Sequence, residues 1–132
     1  MYLQSVTVNS SFESVLASVR AALADQGFGV LTEIDIRATL KKKLDVDRDP
    51  MVILGACNPV LANQALTVEP SIGVLLPCSV VVRADGPGQA IVEVIDPATL
   101  VVLTGNQELT HLSEELAAKL NAVMHAIGAE LG

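Results

Sequence analysis

The pattern of hydrophobic and polar positions along the chain predicts an alternation of strands and helices. Segments rich in β-branched and aliphatic residues predict five strands, over residues 2–8, 28–34, 51–57, 80–83 and 90–95. The run MVILGAC at 51–57 is apolar throughout, which is typical of a central strand buried on both faces. The segment DGPG at 85–88 predicts a hairpin between the last two strands.

The first and last helices are predicted from apolar residues at spacings of three and four. Ser10 and Glu13 form a capping-box pattern before the first helix, which ends at Gly27. The last helix is predicted from about residue 108 to residue 131. Its apolar stripe consists of Leu109, Leu112, Leu116, Leu120, Val123 and Ile127.

Two short helices are predicted between the strands. Asp35 is a suitable cap for a helix over residues 36–44. Asn58 is a preferred N-cap residue, and Pro59 suits the first helical position before residues 60–66. The apolar run at 100–103 fits a strand or a helix equally well.

These elements predict an α+β fold. We expect a mixed, largely antiparallel sheet, helices mainly on one face, and a long C-terminal helix. A chain of 132 residues corresponds to a single domain that can bury a sizeable core.

Composition predicts a homodimer. Hydrophobic residues make up 51% of the chain and charged residues only 17%, so apolar surface is left for a partner to cover. The uncovered face of the sheet is one such surface. A side of the last helix is unusually poor in charge; it consists of His111, Ala118, Ala122, His125 and Ala129.

Charge and hydropathy limit the other partners. A net charge of −7 and only three aromatic residues do not suit a nucleic-acid-binding protein. The longest stretch without charged residues, 51–68, contains polar side chains that a membrane span disfavours, and no signal-peptide pattern is present. We therefore expect a cytoplasmic protein, in which cysteines are thiols rather than structural disulfides.

The segment Cys57-Asn58-Pro59 is the strongest candidate for a site. It predicts a thiol just before a helix N-terminus, where backbone N–H groups favour a thiolate or bind an anion. The alternative is that Cys57 is a small buried strand residue. Lys42 and Lys43 belong to a basic segment that either adds to an anion site or covers a solvated helix face.

Cys78 lies 21 positions after Cys57. An antiparallel arrangement of their strands would bring both cysteines to the same end of the sheet, whereas a parallel one would separate them. Zinc binding is not favoured, because His111 and His125 are about 21 Å apart along a helix. No calcium loop is complete, and the sequence requires no cofactor.

Several motifs together resemble one family. GACNPVLANQAL, VLLPCSVVV and VEVIDP, preceded by LADQGFGVLTEIDIRATLKKKL, are similar to the domain of unknown function 302 family of small bacterial and archaeal proteins. The resemblance implies a compact α+β fold and a homodimer, and no activity is established for the family. By motif match it directs attention to Cys57, Asn58, Pro59, Pro77, Cys78, Asp96 and one of Lys41, Lys42 and Lys43.

The preferred interpretation of function is a non-enzymatic module that binds a small molecule, an anion or a sulfur species at Cys57-Asn58-Pro59. One alternative is a thiol redox or sulfur-transfer protein that uses Cys57 and Cys78. Another is a structural homodimer in which both cysteines belong to the core.

Overall fold

The computed structural model describes residues 2–131, with side chains through residue 128. Its strands are β1 (Leu3–Val8), β2 (Gly29–Asp35), β3 (Met51–Cys57), β4 (Cys78–Ala84) and β5 (Ala90–Ile95). Its helices are α1 (Phe12–Asp25), α2 (Ile36–Leu44), α3 (Pro59–Val68), α4 (Ala98–Thr104) and α5 (Thr110–Leu131). Two 3-10 helices cover Pro70–Leu75 and Gln107–Leu109.

The strands form one sheet in the order β1-β5-β4-β3-β2. Every neighbouring pair of strands is antiparallel. The predicted α+β class and the long C-terminal helix are therefore confirmed. The predicted hairpin also forms, with Ala84 paired to Ala90 and Asp85 N–H donating to the Gln89 carbonyl at 2.9 Å.

The core lies between α1, α5 and one face of the sheet. Alternate residues of the central strands supply that face, including Val52, Leu54, Val80, Val82 and Val92. The predicted stripe of the last helix meets them, because Leu120, Val123 and Ile127 are almost wholly buried. Burial of these aliphatic groups is the main stabilising contribution to the fold.

Two of the three predicted N-cap residues cap their helices, and the third does not. The side chains of Asp35 and Asn58 accept hydrogen bonds from the first turns of α2 and α3, as predicted. The capping box assigned to Ser10 is wrong. Ser11 is the N-cap of α1, and its hydroxyl accepts from Ser14 N–H at 3.2 Å, since the helix begins one residue later than the box requires.

The ambiguous run at 100–103 belongs to a helix. Pro97 precedes α4 and Gly105 ends it in the left-handed region. Leu100 is buried in a second, smaller apolar cluster with Ala65, Ile72 and Leu109. Among the helices that the structure describes, none combines the length and hydropathy that a membrane span requires. Of the charge-poor side predicted on α5, His111, Ala118 and His125 are exposed, whereas the side chain of Ala129 lies outside the described residues.

Candidate functional site

The candidate site begins at the junction between β3 and α3. Cys57 is the last residue of β3, Asn58 is the N-cap and Pro59 is the first residue of α3. The Asn58 side-chain oxygen accepts a hydrogen bond from Leu61 N–H at 3.2 Å. The strand thus ends and the helix begins within one residue, so Cys57 lies at the end of β3, next to the N-terminus of α3.

Cys78 reaches the same place from the neighbouring strand. It is the first residue of β4 and pairs directly with Ala56, the residue before Cys57. The antiparallel arrangement therefore places both cysteines at one end of the sheet. Pro77 directly precedes this strand, where its lack of an N–H removes no hydrogen bond from the ladder.

A cavity of about 50 Å³ lies between this junction and the C-terminal helices. Cys57, Cys78 and Asn58 all line it. Most of the other lining residues are aliphatic, and the sheet and α3 supply Ala56, Leu61, Ala62 and Ala65. Among the described residues, no charged side chain lines the cavity. The space is therefore apolar apart from the thiols, the Asn58 amide and one serine hydroxyl.

The far wall of the cavity comes from the C-terminal part of the chain. It is formed by Leu100 of α4, Leu109 of the second 3-10 helix, and Leu112, Ser113 and Leu116 of α5. The Ser113 hydroxyl donates to the Thr110 carbonyl at 2.8 Å, so its polar group is satisfied within the helix. Three of these leucines, Leu109, Leu112 and Leu116, belong to the stripe predicted for the last helix. The stripe alone does not predict a cavity, because only the folded chain sets it against α3.

The two thiols differ in environment. Cys57 is half-buried, while Cys78 is only 6% exposed, and neither forms a disulfide. Burial, and to a lesser extent the charge of Cys57, raises the pKa of the Cys78 thiol to about 11. Cys78 is therefore a neutral wall of the cavity, and Cys57 is the thiol that a small molecule or reagent can reach.

The remaining predicted site residues lie elsewhere. Lys42 and Lys43 are exposed in the last turn of α2 and do not line the cavity. Asp96 serves a local turn, because its carboxylate accepts from Ala98 N–H at 3.0 Å before α4. The structure thus brings together Cys57, Asn58 and Cys78 and leaves the two lysines and Asp96 outside.

The histidines do not form part of a metal site among the described residues. His111 pairs with Glu115 one turn away, at 2.9 Å between Nε2 and Oε1. Within residues 2–131, no group of three or more metal-binding side chains converges.

The chain is similar to a family of proteins and to a solved structure. The model of a family described as "Domain of unknown function DUF302" matches residues 4–127, a region that contains every residue lining the cavity. A crystal structure of an uncharacterised conserved DUF302 protein from Bacillus stearothermophilus has the same fold, with a TM-score of 0.88. The two chains are 27% identical, over 96% of this chain and 98% of that chain. No curated protein matches the sequence.

Proposed function

The chain belongs to the DUF302 family, whose description names no activity, and we propose that it is a non-enzymatic domain that binds a small, uncharged or sulfur-bearing molecule. The observation that carries this proposal is the shared cavity: Cys57, Asn58 and Cys78 border one apolar space. An accessible thiol beside an apolar pocket suits a small ligand that contacts sulfur.

The size of the cavity limits the ligand. A volume of about 50 Å³ has room for about four water molecules, at roughly 10–15 Å³ for each. A nucleotide or a sugar would not fit without opening the C-terminal wall. The proposed ligand is therefore a molecule of a few non-hydrogen atoms, such as a small thiol or an inorganic sulfur species.

The charge of the lining favours a neutral ligand over an anion. The described lining has no lysine or arginine to pair with a negative charge. At the α3 N-terminus, the Asn58 oxygen already accepts from Leu61 N–H, one of the donors that an anion would use. Of the ligands considered from the sequence, we therefore propose a small neutral molecule for this cavity and not an anion.

Native mass spectrometry combined with thiol labelling tests the proposal. We expect the gently purified protein, or protein incubated with the small neutral thiol 2-mercaptoethanol, to retain a noncovalently bound molecule whose added mass is lost in Cys57→Ala. Ala62→Leu should also abolish it by filling the cavity mouth, whereas Ala118→Leu, on the exposed side of α5, should retain it. Absence of any added mass, together with cysteines that react only after denaturation, would refute the proposal.

A second candidate function uses the cysteines as a redox pair. Its support is that Cys57 and Cys78 both line the cavity, at the same end of the β3–β4 ladder. Treatment with diamide would then remove two hydrogen atoms and link the Cys57 and Cys78 peptides within one chain. Oxidation that yields only chains cross-linked to each other would exclude an internal pair.

The third hypothesis treats both cysteines as core residues of a structural homodimer. It predicts that Cys57→Ala and Cys78→Ala change stability alone and leave any bound species and cellular phenotype intact. The homodimer is likewise a proposal, supported by the apolar composition of the chain.

A further inference from the structure

An open cleft of about 570 Å³ lies at the opposite end of the β3–β4 ladder from the cysteines. Met51 begins β3 and pairs with Arg83 near the end of β4, and both residues line this cleft. Six residues of strand, about 20 Å, separate Met51 from Cys57. The cleft shares no lining residue with the thiol cavity, so its occupant can be tested independently of the proposed function.

Arginine is concentrated around this cleft. The sequence contains four arginines, and three of them, Arg37, Arg48 and Arg83, line it. They come from α2, from the loop before β3 and from β4, so they approach the space from three separate segments. In a chain with a net charge of −7, such convergence is not expected from composition alone.

Arg83 is positioned by a neighbour on the uncovered face of the sheet. Its Nε lies 2.8 Å from Oε1 of Glu93 on β5. Because this hydrogen bond uses Nε, the Nη1 and Nη2 groups of Arg83 can donate to another oxygen acceptor. Glu93 therefore acts as a positioning residue that orients the guanidinium group at the cleft wall.

The acidic residues of the cleft leave a positive balance. Asp47 and Asp49 also line the space, which gives three cationic and two anionic side chains. Lys41 Nζ lies 3.2 Å from Asp47 and offsets part of that carboxylate charge. Glu93 offsets part of the charge of Arg83, so the excess of positive charge belongs to the side chains that line the cleft.

We propose that this cleft binds a small phosphomonoester, with Arg37, Arg48 and Arg83 donating to the phosphate oxygens. Guanidinium groups bind phosphate through paired, charge-assisted hydrogen bonds. Three guanidinium groups also match the double negative charge of a phosphomonoester better than the single charge of a carboxylate ligand. A cleft of about 570 Å³ is larger than a bare phosphate requires. Met51 and Ala84 supply apolar surface for the organic part of the ester.

Calorimetric titration of the full chain at low ionic strength tests this proposal. Phenyl phosphate, inorganic phosphate and phenol are the probes, and we expect phenyl phosphate to bind most tightly and phenol not at all. Arg48→Gln and Arg83→Gln should each weaken phenyl phosphate binding about tenfold. Arg20→Gln is the matched control, because Arg20 pairs with Glu33 outside the cleft and should bind as the wild type does.

The possible outcomes separate the proposal from its alternatives. Equal weakening by Arg20→Gln and the cleft variants would indicate binding by overall charge and would overturn it. Inorganic phosphate binding as tightly as phenyl phosphate would overturn the phosphomonoester assignment, and no heat with either phosphate would overturn the site. Arg48 lies in an exposed loop, so Arg48→Gln decides the test even if Arg83→Gln fails to fold.

Discussion

The ring of Pro77 lies against the backbone of Gly55, in the middle of β3. A Cβ atom added to Gly55 would stand 2.8 Å from Pro77 Cγ, and it would also overlap the Thr32 hydroxyl on β2. Gly55 therefore lets the segment before Cys78 approach the sheet closely. This contact sets the position from which Cys78 enters β4 and reaches the cavity.

Gly55→Ala is expected to destabilise the protein by about 1–3 kcal/mol, as overpacking typically does. The new methyl group meets the Thr32 hydroxyl and the ring of Pro77, and that ring is rigid. Chemical denaturation monitored by circular dichroism measures the change. Gly29→Ala on β2 is the control, because its added Cβ has no neighbour nearer than 3.9 Å. Equal stability of the two variants would show that the Gly55–Pro77 contact is not tight.

Alkylation of the native protein should separate the two thiols. We expect iodoacetamide at pH 8 to modify Cys57 well before Cys78, because Cys57 is half-buried and Cys78 is 6% exposed with a raised pKa. Peptide mass spectrometry over a time course measures both rates. In urea the two rates should converge, and faster native labelling of Cys78 would contradict the assignment of Cys57 as the reachable thiol.

Stability should fall at alkaline pH in a way that depends on Cys78. Its pKa rises from 9.0 to about 11 on folding, so between these values the native state retains a proton that the unfolded state has lost. The contribution of Cys78 to the free energy of unfolding is about 3 kcal/mol. It is fully present below pH 9 and is lost as the pH rises toward 11. The free energy of unfolding of the wild type is compared with that of Cys78→Ala at each pH, which isolates the contribution of Cys78. The difference in free energy of unfolding between the wild type and Cys78→Ala should shrink by that amount between pH 9 and pH 11. A difference that stays constant over this range would contradict the prediction.

Removing the cap at the site should weaken α3. Asn58→Ala loses the acceptor for Leu61 N–H and is expected to cost about 1 kcal/mol. Asn58→Asp retains an acceptor and should recover most of that stability. Thermal unfolding of the three proteins measures the effect. If Asn58→Ala also raises the alkylation rate of Cys57, the cap controls access to the thiol as well as the helix start.

The proposed homodimer can be tested by multi-angle light scattering over a range of protein concentrations. We expect a dimer whose affinity falls in Ala118→Arg, because that substitution places charge on the exposed, charge-poor side of α5. Ala38→Arg, on the exposed surface of α2, should leave association unchanged. A monomer at every concentration would refute the dimer, and a dimer unaffected by Ala118→Arg would place the interface elsewhere.

The sequence by itself determined the local elements and the shape of the β3–α3 junction. The apolar run ending at Cys57, the cap at Asn58 and the proline at position 59 are adjacent along the chain, and local hydrogen bonding and backbone geometry dictate their conformation. The apolar stripe of α5 could also be predicted from the sequence, because its spacing follows the helix period. Helix limits were less certain, since either Ser10 or Ser11 satisfies local capping rules and only the folded helix start selects Ser11.

Tertiary structure decided which distant residues share a site. The direction of β4 relative to β3 brought Cys78 beside Cys57, and no local pattern at either cysteine encodes that direction. The same ladder brought Arg83 to Arg37 and Arg48 at its other end, and it left Lys42 and Lys43 on the surface. Pairing between strands depends on burial summed over the whole sheet, so the composition of each site follows from the global packing of the chain.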